Sequence, residues 1–167
     1  MSRRDSVSVL QAVSVLVLCS GIIHGADSGL VGSYFDNQDF TNRKVVRLDG
    51  QVDFNWGNGS PAPEIGAETF SVRWDGEVET LAAGEHTFYT YSDDGVRLWV
   101  NGVLIIDNWT VHAPVTNTGT IGLVAGRQYS IRLDYYENLV GAVINLSWSS
   151  ASQAKEIIPT SQLFGLV

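Results

Sequence analysis

The sequence predicts an all-β protein built as a two-sheet antiparallel β-sandwich, and three observations lead to this prediction. After residue 26, apolar and polar residues alternate in short runs, which is the period of a strand with one buried face. No stretch in that part of the sequence keeps apolar residues at i, i+3, i+4 and i+7 over three turns, so helices are not expected. The 17 glycines of the sequence help to separate the runs into the short, regularly spaced strands of a sandwich or barrel.

Each predicted strand is an alternating run bounded by turn residues. The pair Asn101-Gly102 lies between two such runs and predicts a two-residue hairpin, whereas residues 57–68 are predicted to form an outer loop. The predicted strands are, in chain order, Leu30–Phe35, two short strands within 44–56 on either side of Asp49 and Gly50, 70–79 with a turn at Asp75 and Gly76, 85–92, 95–107 folded at the hairpin, 119–126, 127–137, 141–149 and a C-terminal edge strand at 157–164.

Residues 1–26 have the features of a secretory signal peptide: a basic start, an uncharged and largely apolar stretch at 7–23, and the small residues Gly25 and Ala26 at the exit. We therefore expect a single domain at 27–167 that is secreted or displayed on the cell surface without inserting into the membrane. Retention of the segment as an anchor is the alternative. The one cysteine of the sequence lies within this segment, so a core rather than disulfides must stabilise the predicted domain.

The formal net charge is −8 at pH 7. An acidic chain without clustered Lys and Arg is not expected to bind nucleic acid, because phosphate contacts require such clusters. The same negative charge is compatible with the binding of divalent cations. The sequence contains no G-x-S-x-G elbow, no H-E-x-x-H and no Cys/His nucleophile pair. The adjacent carboxylates Asp93 and Asp94 are too close together to flank a glycosidic bond, so no enzymatic activity is expected.

Two segments, 81–95 and 123–141, resemble each other. Both begin with a small-residue corner, Leu-x-Ala-Gly, continue as an alternating strand and finish in a polar, acidic loop. If the two corners lie at one end of the sandwich, the pair Asp93-Asp94 and the pair Glu137-Asn138 must meet at the other end. This geometry predicts a shared acidic site formed by two loops that are distant in sequence.

The chain also resembles a known family. The runs "GLVGSYFDNQDF", "FSVRWDGEVE", "AGEHTFYTYSDDGVRLWVNGVLIIDNW", "AGRQYSIRLDYYEN" and "INLSW" follow one another in the order found in the PA-fourteen domain. This β-sandwich module occurs in anthrax protective antigen, yeast flocculins and many secreted glycosidases. The combination of S-D-D-G, D-N-W, A-G-x-x-Y and Y-Y-E is specific, although each motif alone is weak. The resemblance implies a two-sheet antiparallel sandwich.

In the lectin members of that family, two aspartates joined by a cis peptide hold a calcium ion that coordinates sugar hydroxyls. The matching residues here are Asp93 and Asp94, and the second loop places the Asn138 side chain and the Val140 carbonyl as further ligands. Glu137 departs from the family pattern, and it either adds a ligand or points to solvent. Oxygen-rich sites of this kind suit calcium. A plain hairpin turn, in which one aspartate accepts a hydrogen bond from a neighbouring N–H, is the alternative.

Trp109 lies in a loop, where its ring is available either to stack on a sugar or to pin the loop to the core. Trp74, Trp99 and Trp148 lie within strands and are predicted to be packing residues. The resemblance thus implies a calcium-dependent, lectin-like or adhesin-like module with a glycan or polysaccharide as partner. A structural or protein-interaction module of the cell surface, with the same fold and no sugar binding, is the second hypothesis.

Overall fold

The computed structural model describes residues 27–165; the predicted signal segment 1–26 lies outside the described residues, as do the last two. Thirteen strands and one short 3₁₀ helix make up this part of the chain. They are β1 (Asp27–Ser28), β2 (Leu30–Phe35), β3 (Arg43–Asp49), β4 (Asp53–Gly57), β5 (Ser71–Glu79), β6 (Gly84–Asp93), β7 (Val96–Val100), β8 (Val103–Asn108), β9 (Val115–Leu123), β10 (Gln128–Tyr136), β11 (Ala142–Ser150), β12 (Gln153–Ile157), the 3₁₀ helix Thr160–Gln162, and β13 (Leu163–Gly165).

Two antiparallel sheets form the molecule. In the first sheet β5 and β10 are central; β7 and then β8 follow on the β10 side, while β2 and β13 share the other edge of β5. Strand β3 pairs with β2, and β1 pairs with β13. In the second sheet β6 lies between β9 and β11, and β4 and β12 each pair with part of β11. The predicted two-sheet antiparallel sandwich is confirmed.

Period-2 alternation places the core between the sheets. Along β10, Tyr129, Ile131 and Leu133 are buried, whereas the intervening Ser130 and Arg132 are exposed. The largest fully buried side chains come from both sheets and include Trp74, Phe70 and Leu133 from one side and Trp148, Phe88 and Ile144 from the other. Burial of this apolar surface is the main stabilising term, at roughly 25 cal/mol per Å².

One buried carboxylate organises the polar part of the core. Asp49, at the end of β3, is 6 % exposed. It accepts hydrogen bonds from the Tyr34 hydroxyl, from Trp74 Nε1 at 2.7 Å and from Arg47 Nε at 2.7 Å. Because every partner donates to it, this buried charge is well satisfied and ties β2, β3 and β5 together.

The structure differs from three predictions. Strand β5 runs through Asp75 and Gly76 without a turn and pairs with β10 along its whole length. The glycine serves packing instead, because a side chain there would meet the carbonyl oxygen of Phe164 and the Leu30 side chain. The predicted C-terminal strand 157–164 is instead split into β12, the 3₁₀ helix and β13. Trp99, predicted to pack, is half-buried on the outward face of β7, whereas Trp74 and Trp148 are fully buried as predicted.

The two ends of the sandwich carry different features. The corners at 81–84 and 123–126 lie side by side, since the Gly126 N–H donates to the Thr80 carbonyl at 2.8 Å. The acidic loops after β6 and β10 lie at the opposite end of those strands. Within residues 27–165 there is no helix of the length and apolarity needed to cross a bilayer.

Candidate calcium and sugar site

The first site loop is a tight connection between the two sheets. Strand β6 of the second sheet ends at Asp93, strand β7 of the first begins at Val96, and only Asp94 and Gly95 lie between them. The Asp93–Asp94 peptide bond is cis, as the resemblance implied. Gly95 is required here because a Cβ at that position would collide with the ring of Tyr136.

The second site loop follows β10, which ends at Tyr136. The Glu137 N–H donates to the Phe70 carbonyl at 2.9 Å, and this bond fixes the start of the loop. The Asn138 N–H donates to Asp94 Oδ2 at 2.8 Å, so the two loops are directly joined. Carboxylate oxygens of Asp93, Asp94 and Glu137 lie within 4.8 Å of one another. The two acidic loops therefore meet, as the paired corners predicted.

This cluster concentrates negative charge in a buried place. Glu137 is 1 % exposed and Asp94 is 2 % exposed. Burial, followed by the charges of Asp94 and Asp93, raises the pKa of Glu137 to about 7, and burial and Asp94 also raise the pKa of Asp93. None of the salt bridges within residues 27–165 involves these three carboxylates. The carboxylates are thus held together without a basic partner.

The donor set suits a hard divalent cation. Glu137 Oε1 is buried and has no hydrogen-bond partner, and such an atom is costly unless a ligand engages it. Asp94 Oδ1 and Oδ2 accept one bond each, from the N–H groups of His112 and Asn138 at 2.8 Å. Each oxygen therefore keeps a lone pair, and with Asp93 the cluster offers only oxygen donors, as calcium prefers. The residues present fit calcium.

A sequence model of the PA14 domain, which is the PA-fourteen domain that the sequence resembles, matches residues 26–162. The chain belongs to the PA14 domain family. The anti-sigma-I factor RsgI3 of Acetivibrio thermocellus is 49% identical over 141 residues, which are 84% of this chain and 22% of that protein. A solved anti-sigma factor domain-containing protein is 48% identical with a TM-score of 0.83, over 84% of this chain and 48% of that one.

The solved PA14 sugar-binding domain of an RTX adhesin has the same fold, with a TM-score of 0.71 at 17% identity, over 84% of this chain and all of that one. This PA14 domain thus spans less than half the length of the two anti-sigma-type relatives and the whole of the adhesin domain.

Two further ligands were predicted for this PA14 domain, the Asn138 side chain and the Val140 carbonyl. Asn138 Oδ1 accepts a hydrogen bond from Gln38 Nε2 at 3.1 Å, and the Asn138 carbonyl accepts one from the Thr69 N–H at 3.2 Å. Val140 has a left-handed φ of 84°, and its N–H donates to Glu68 Oε2 at 2.8 Å. The structure brings Asn138 to the cluster through its backbone N–H, while the roles of its side chain and of the Val140 carbonyl as metal ligands stay predictions.

A small surface cavity of about 190 Å³ opens beside Asp93. The residues that line it include Asn55, Tyr91 and Pro114, together with residues 141–143. Tyr91 is 38 % exposed. The lining therefore includes an aromatic residue and an amide residue next to Asp93, a carboxylate of the cluster, which is the mixture of groups that small polar ligands use.

Trp109, predicted either to stack on a sugar or to pin its loop to the core, packs against other residues of the protein. Its ring stacks on Phe40 with centroids 5.9 Å apart, meets Tyr136 edge-on at 4.7 Å and has the Arg97 guanidinium 4.8 Å from its centroid. These contacts favour the pinning role over sugar stacking, since its neighbours already cover much of the indole. Trp109 thus fixes the loop after β8 against Tyr136, the residue before Glu137.

Sequence reasoning missed three contributors to the site of this PA14 domain. Gln38 reaches from the loop after β2 to the Glu137 carbonyl at 2.9 Å as well as to Asn138. The Tyr135 hydroxyl donates to the Asp93 carbonyl and to Glu137 Oε2. The backbone of His112 binds Asp94. Of these three, only Tyr135 could have been found from the sequence, because it is part of the Y-Y-E motif that carries the resemblance.

Proposed function

We propose that this PA14 domain is a non-catalytic, calcium-dependent carbohydrate-binding module that is secreted or displayed on the cell surface. The observation that carries the proposal is the cluster of Asp93, Asp94 and Glu137 with the unpaired, buried Glu137 Oε1. A plain hairpin turn needs neither a third buried carboxylate nor an oxygen without a partner. A calcium ion would engage that oxygen and offset the repulsion between the carboxylates.

The proposed ion site differs from the family pattern in its third ligand. The Asn138 side-chain oxygen already accepts a hydrogen bond from Gln38 Nε2 and keeps one lone pair, whereas the buried Glu137 Oε1 has no partner at all. We therefore assign Glu137 as the third protein ligand, and the Asn138 side chain and the Val140 carbonyl are further candidates. Three carboxylates provide more charge than two, and calcium sites with more charged ligands bind more tightly.

Sugar binding is supported by the surroundings of the ion. The cavity beside Asp93 would seat a sugar whose hydroxyls complete the calcium shell, with the Tyr91 ring against its apolar face. One structural neighbour is described as a PA14 sugar-binding domain of an adhesin, and a glycan or polysaccharide is the partner that this comparison suggests. The acidic cluster and net charge of −8 disfavour anionic partners such as nucleic acid.

Calcium titration tests the metal site. Because a ligand that binds only the folded state stabilises it, calcium at 100 times its Kd should add about 2.7 kcal/mol to the free energy of unfolding. We expect this gain in the wild type and its loss in Asp94→Asn and Glu137→Gln. The matched control is Glu85→Gln, an exposed carboxylate at the far end of β6. A wild-type melting temperature that does not respond to calcium would contradict the site.

A glycan array, read with calcium and again with a chelator, tests the sugar. Binding that the chelator removes and that Tyr91→Ala weakens supports the lectin function. A protein that binds calcium and ignores every glycan supports the second hypothesis, a structural or protein-interaction module. Two relatives have anti-sigma names rather than sugar-binding ones, and this supports testing the second hypothesis alongside the first.

A further inference from the structure

The outward face of the first sheet carries a groove that the calcium site does not use. Its volume is about 350 Å³, and its wall includes Asp75, Trp99, Ser130 and Arg132 together with the hairpin glycine Gly102. Volumes of this size are typical of small-ligand pockets. The groove lies about 17 Å from the calcium cluster, because five residues of extended chain separate Arg132 from Glu137 along β10.

Strand register lines up the side chains of this groove. Asp75 pairs with Arg132, Arg132 with Trp99, and Trp99 with Leu104. These four residues therefore form one row across β5, β10, β7 and β8. Three interstrand steps give the row a length of about 14 Å.

Each member of the row remains open to a ligand. The Arg132 and Asp75 side chains are 47% and 48% exposed, and Leu104 is 42% exposed. Their ion pair uses Arg132 Nε and Asp75 Oδ1 at 2.9 Å, and within the described chain neither side chain has another hydrogen bond. The two Nη groups and Oδ2 thus present donors and an acceptor beside the half-buried indole of Trp99.

We propose that this row is a second carbohydrate subsite, which binds a segment of a neutral polysaccharide. The indole offers an apolar plane for a pyranose ring, and the Arg132–Asp75 pair offers donors and an acceptor for its hydroxyls. The pair is neutral as a unit, and the molecule is acidic overall, so an uncharged chain fits better than an acidic one. A row of about 14 Å suits several linked sugars rather than a terminal one.

This inference rests on the proposed function for its ligand class, carbohydrate, but not on calcium. None of the three clustered carboxylates lies in the row, and its single carboxylate, that of Asp75, is paired with Arg132. The subsite therefore predicts polysaccharide binding that a chelator does not abolish, whereas sugar held by the calcium ion is lost with the metal. That difference separates the two sites experimentally.

Native affinity electrophoresis suits an acidic protein and measures the proposal directly. The probes are a soluble β-glucan, a xylan and a galactomannan in the gel, with a polyuronide as the charge control and with EDTA throughout. We expect at least one neutral polysaccharide to retard the wild type and Asp94→Asn equally. Trp99→Ala should raise the Kd at least tenfold, and Trp99→Phe should retain much of the binding. Tyr89→Ala, a half-buried aromatic on the other sheet, should bind like the wild type.

Three outcomes would overturn the subsite: no retardation in EDTA by any neutral polysaccharide, equal retardation of Trp99→Ala and wild type, or retardation by the polyuronide alone. Equal melting temperatures for wild type, Trp99→Ala and Trp99→Phe exclude a folding defect. If Trp99→Ala has no effect while chelation abolishes glycan-array binding, the subsite is wrong and the calcium function stands. If Trp99→Ala abolishes binding while calcium has no effect, the calcium function is wrong and the subsite stands.

Discussion

Glu137 gives the metal-free protein a distinctive pH dependence. Its folded-state pKa is raised from an ordinary 4.5 to about 7 by burial and by the two aspartates. A raised pKa means that the folded state holds the proton more tightly, so this contribution to stability is complete below pH 4.5 and is lost as pH rises through 7. We therefore expect Glu137→Gln to be more stable than the wild type at pH 8 in EDTA, with the difference vanishing near pH 4.

Urea unfolding of both proteins across pH 4 to 8 measures this difference. Glu85→Gln, which neutralises an exposed carboxylate of the same strand that supplies Asp93, is the control and should follow the wild type. If Glu137→Gln is less stable than the wild type at pH 8 in EDTA, the charge of Glu137 does not destabilise the metal-free protein by repulsion from Asp93 and Asp94. The same substitution should remove calcium stabilisation, so one side chain gives opposite effects with and without the metal.

Gly95 sets the distance between the two site loops. A Cβ there would collide with the Tyr136 ring, so Gly95→Ala must displace either the ring or the Asp93–Asp94 segment. We expect a loss of about 1–3 kcal/mol in the free energy of unfolding and weaker calcium binding, measured by urea unfolding and calorimetry. Gly122→Ala, with nothing within 4 Å of its Cβ, should show neither effect. If both variants behave alike, close packing at Gly95 is not what shapes the loop.

At the scale of the element, Asp49 holds three strands of the first sheet together. Asp49→Ala leaves the Tyr34 hydroxyl and Trp74 Nε1 buried without their acceptor, and each such group costs roughly 1–3 kcal/mol. We expect the free energy of unfolding to fall by about 3 kcal/mol or more, and the melting temperature by on the order of 10 °C. Asp53→Ala, an exposed carboxylate on β4, is the control. A loss below about 1 kcal/mol for Asp49→Ala would mean that water replaces the carboxylate.

Most strands could be predicted because their two faces differ. Burial alternates along β6 as far as Asp93 and along β10 as far as Leu133, and Asn101 and Gly102, both with positive φ, form the predicted hairpin. The prediction failed where local signals conflict with packing. At Asp75-Gly76 the glycine serves close approach by Phe164 rather than a turn, and the mostly exposed edge strand β12 has too little apolar pattern to be seen.

The site could be predicted only in part, because only the residues that follow regular strands have a position that the sequence pattern fixes. The two acidic loops were found because paired corners and strands fix where they meet. Gln38 was missed because it comes from a loop whose sequence has no periodicity and whose contact with Asn138 spans 100 residues. Trp99 was assigned to packing because alternation identifies a face but not which face is inward.

At the scale of the whole molecule, the proposed ion would join the two sheets at one end of the sandwich. Asp93 belongs to β6 of the second sheet, and Glu137 follows β10 of the first. The Tyr135 hydroxyl already crosses between the sheets to the Asp93 carbonyl. The Asn138 N–H also joins the two loops through Asp94, and a cation held by both loops adds a further link there. The corners at 81–84 and 123–126 lie at the other end. Calcium should therefore suppress local opening at the acidic end and leave local opening at the corners unchanged.

Hydrogen exchange with and without calcium measures this asymmetry. We expect amides in 92–96, 112–113 and 136–141 to exchange at least tenfold more slowly with calcium, because their opening would require the ion to leave. Amides at the corners, which exchange by local fraying, should keep their rates. Glu137→Gln should show no calcium response at either end, and Glu85→Gln should respond like the wild type. Equal protection at both ends would indicate that calcium stabilises only against global unfolding, which would contradict a local link between the sheets.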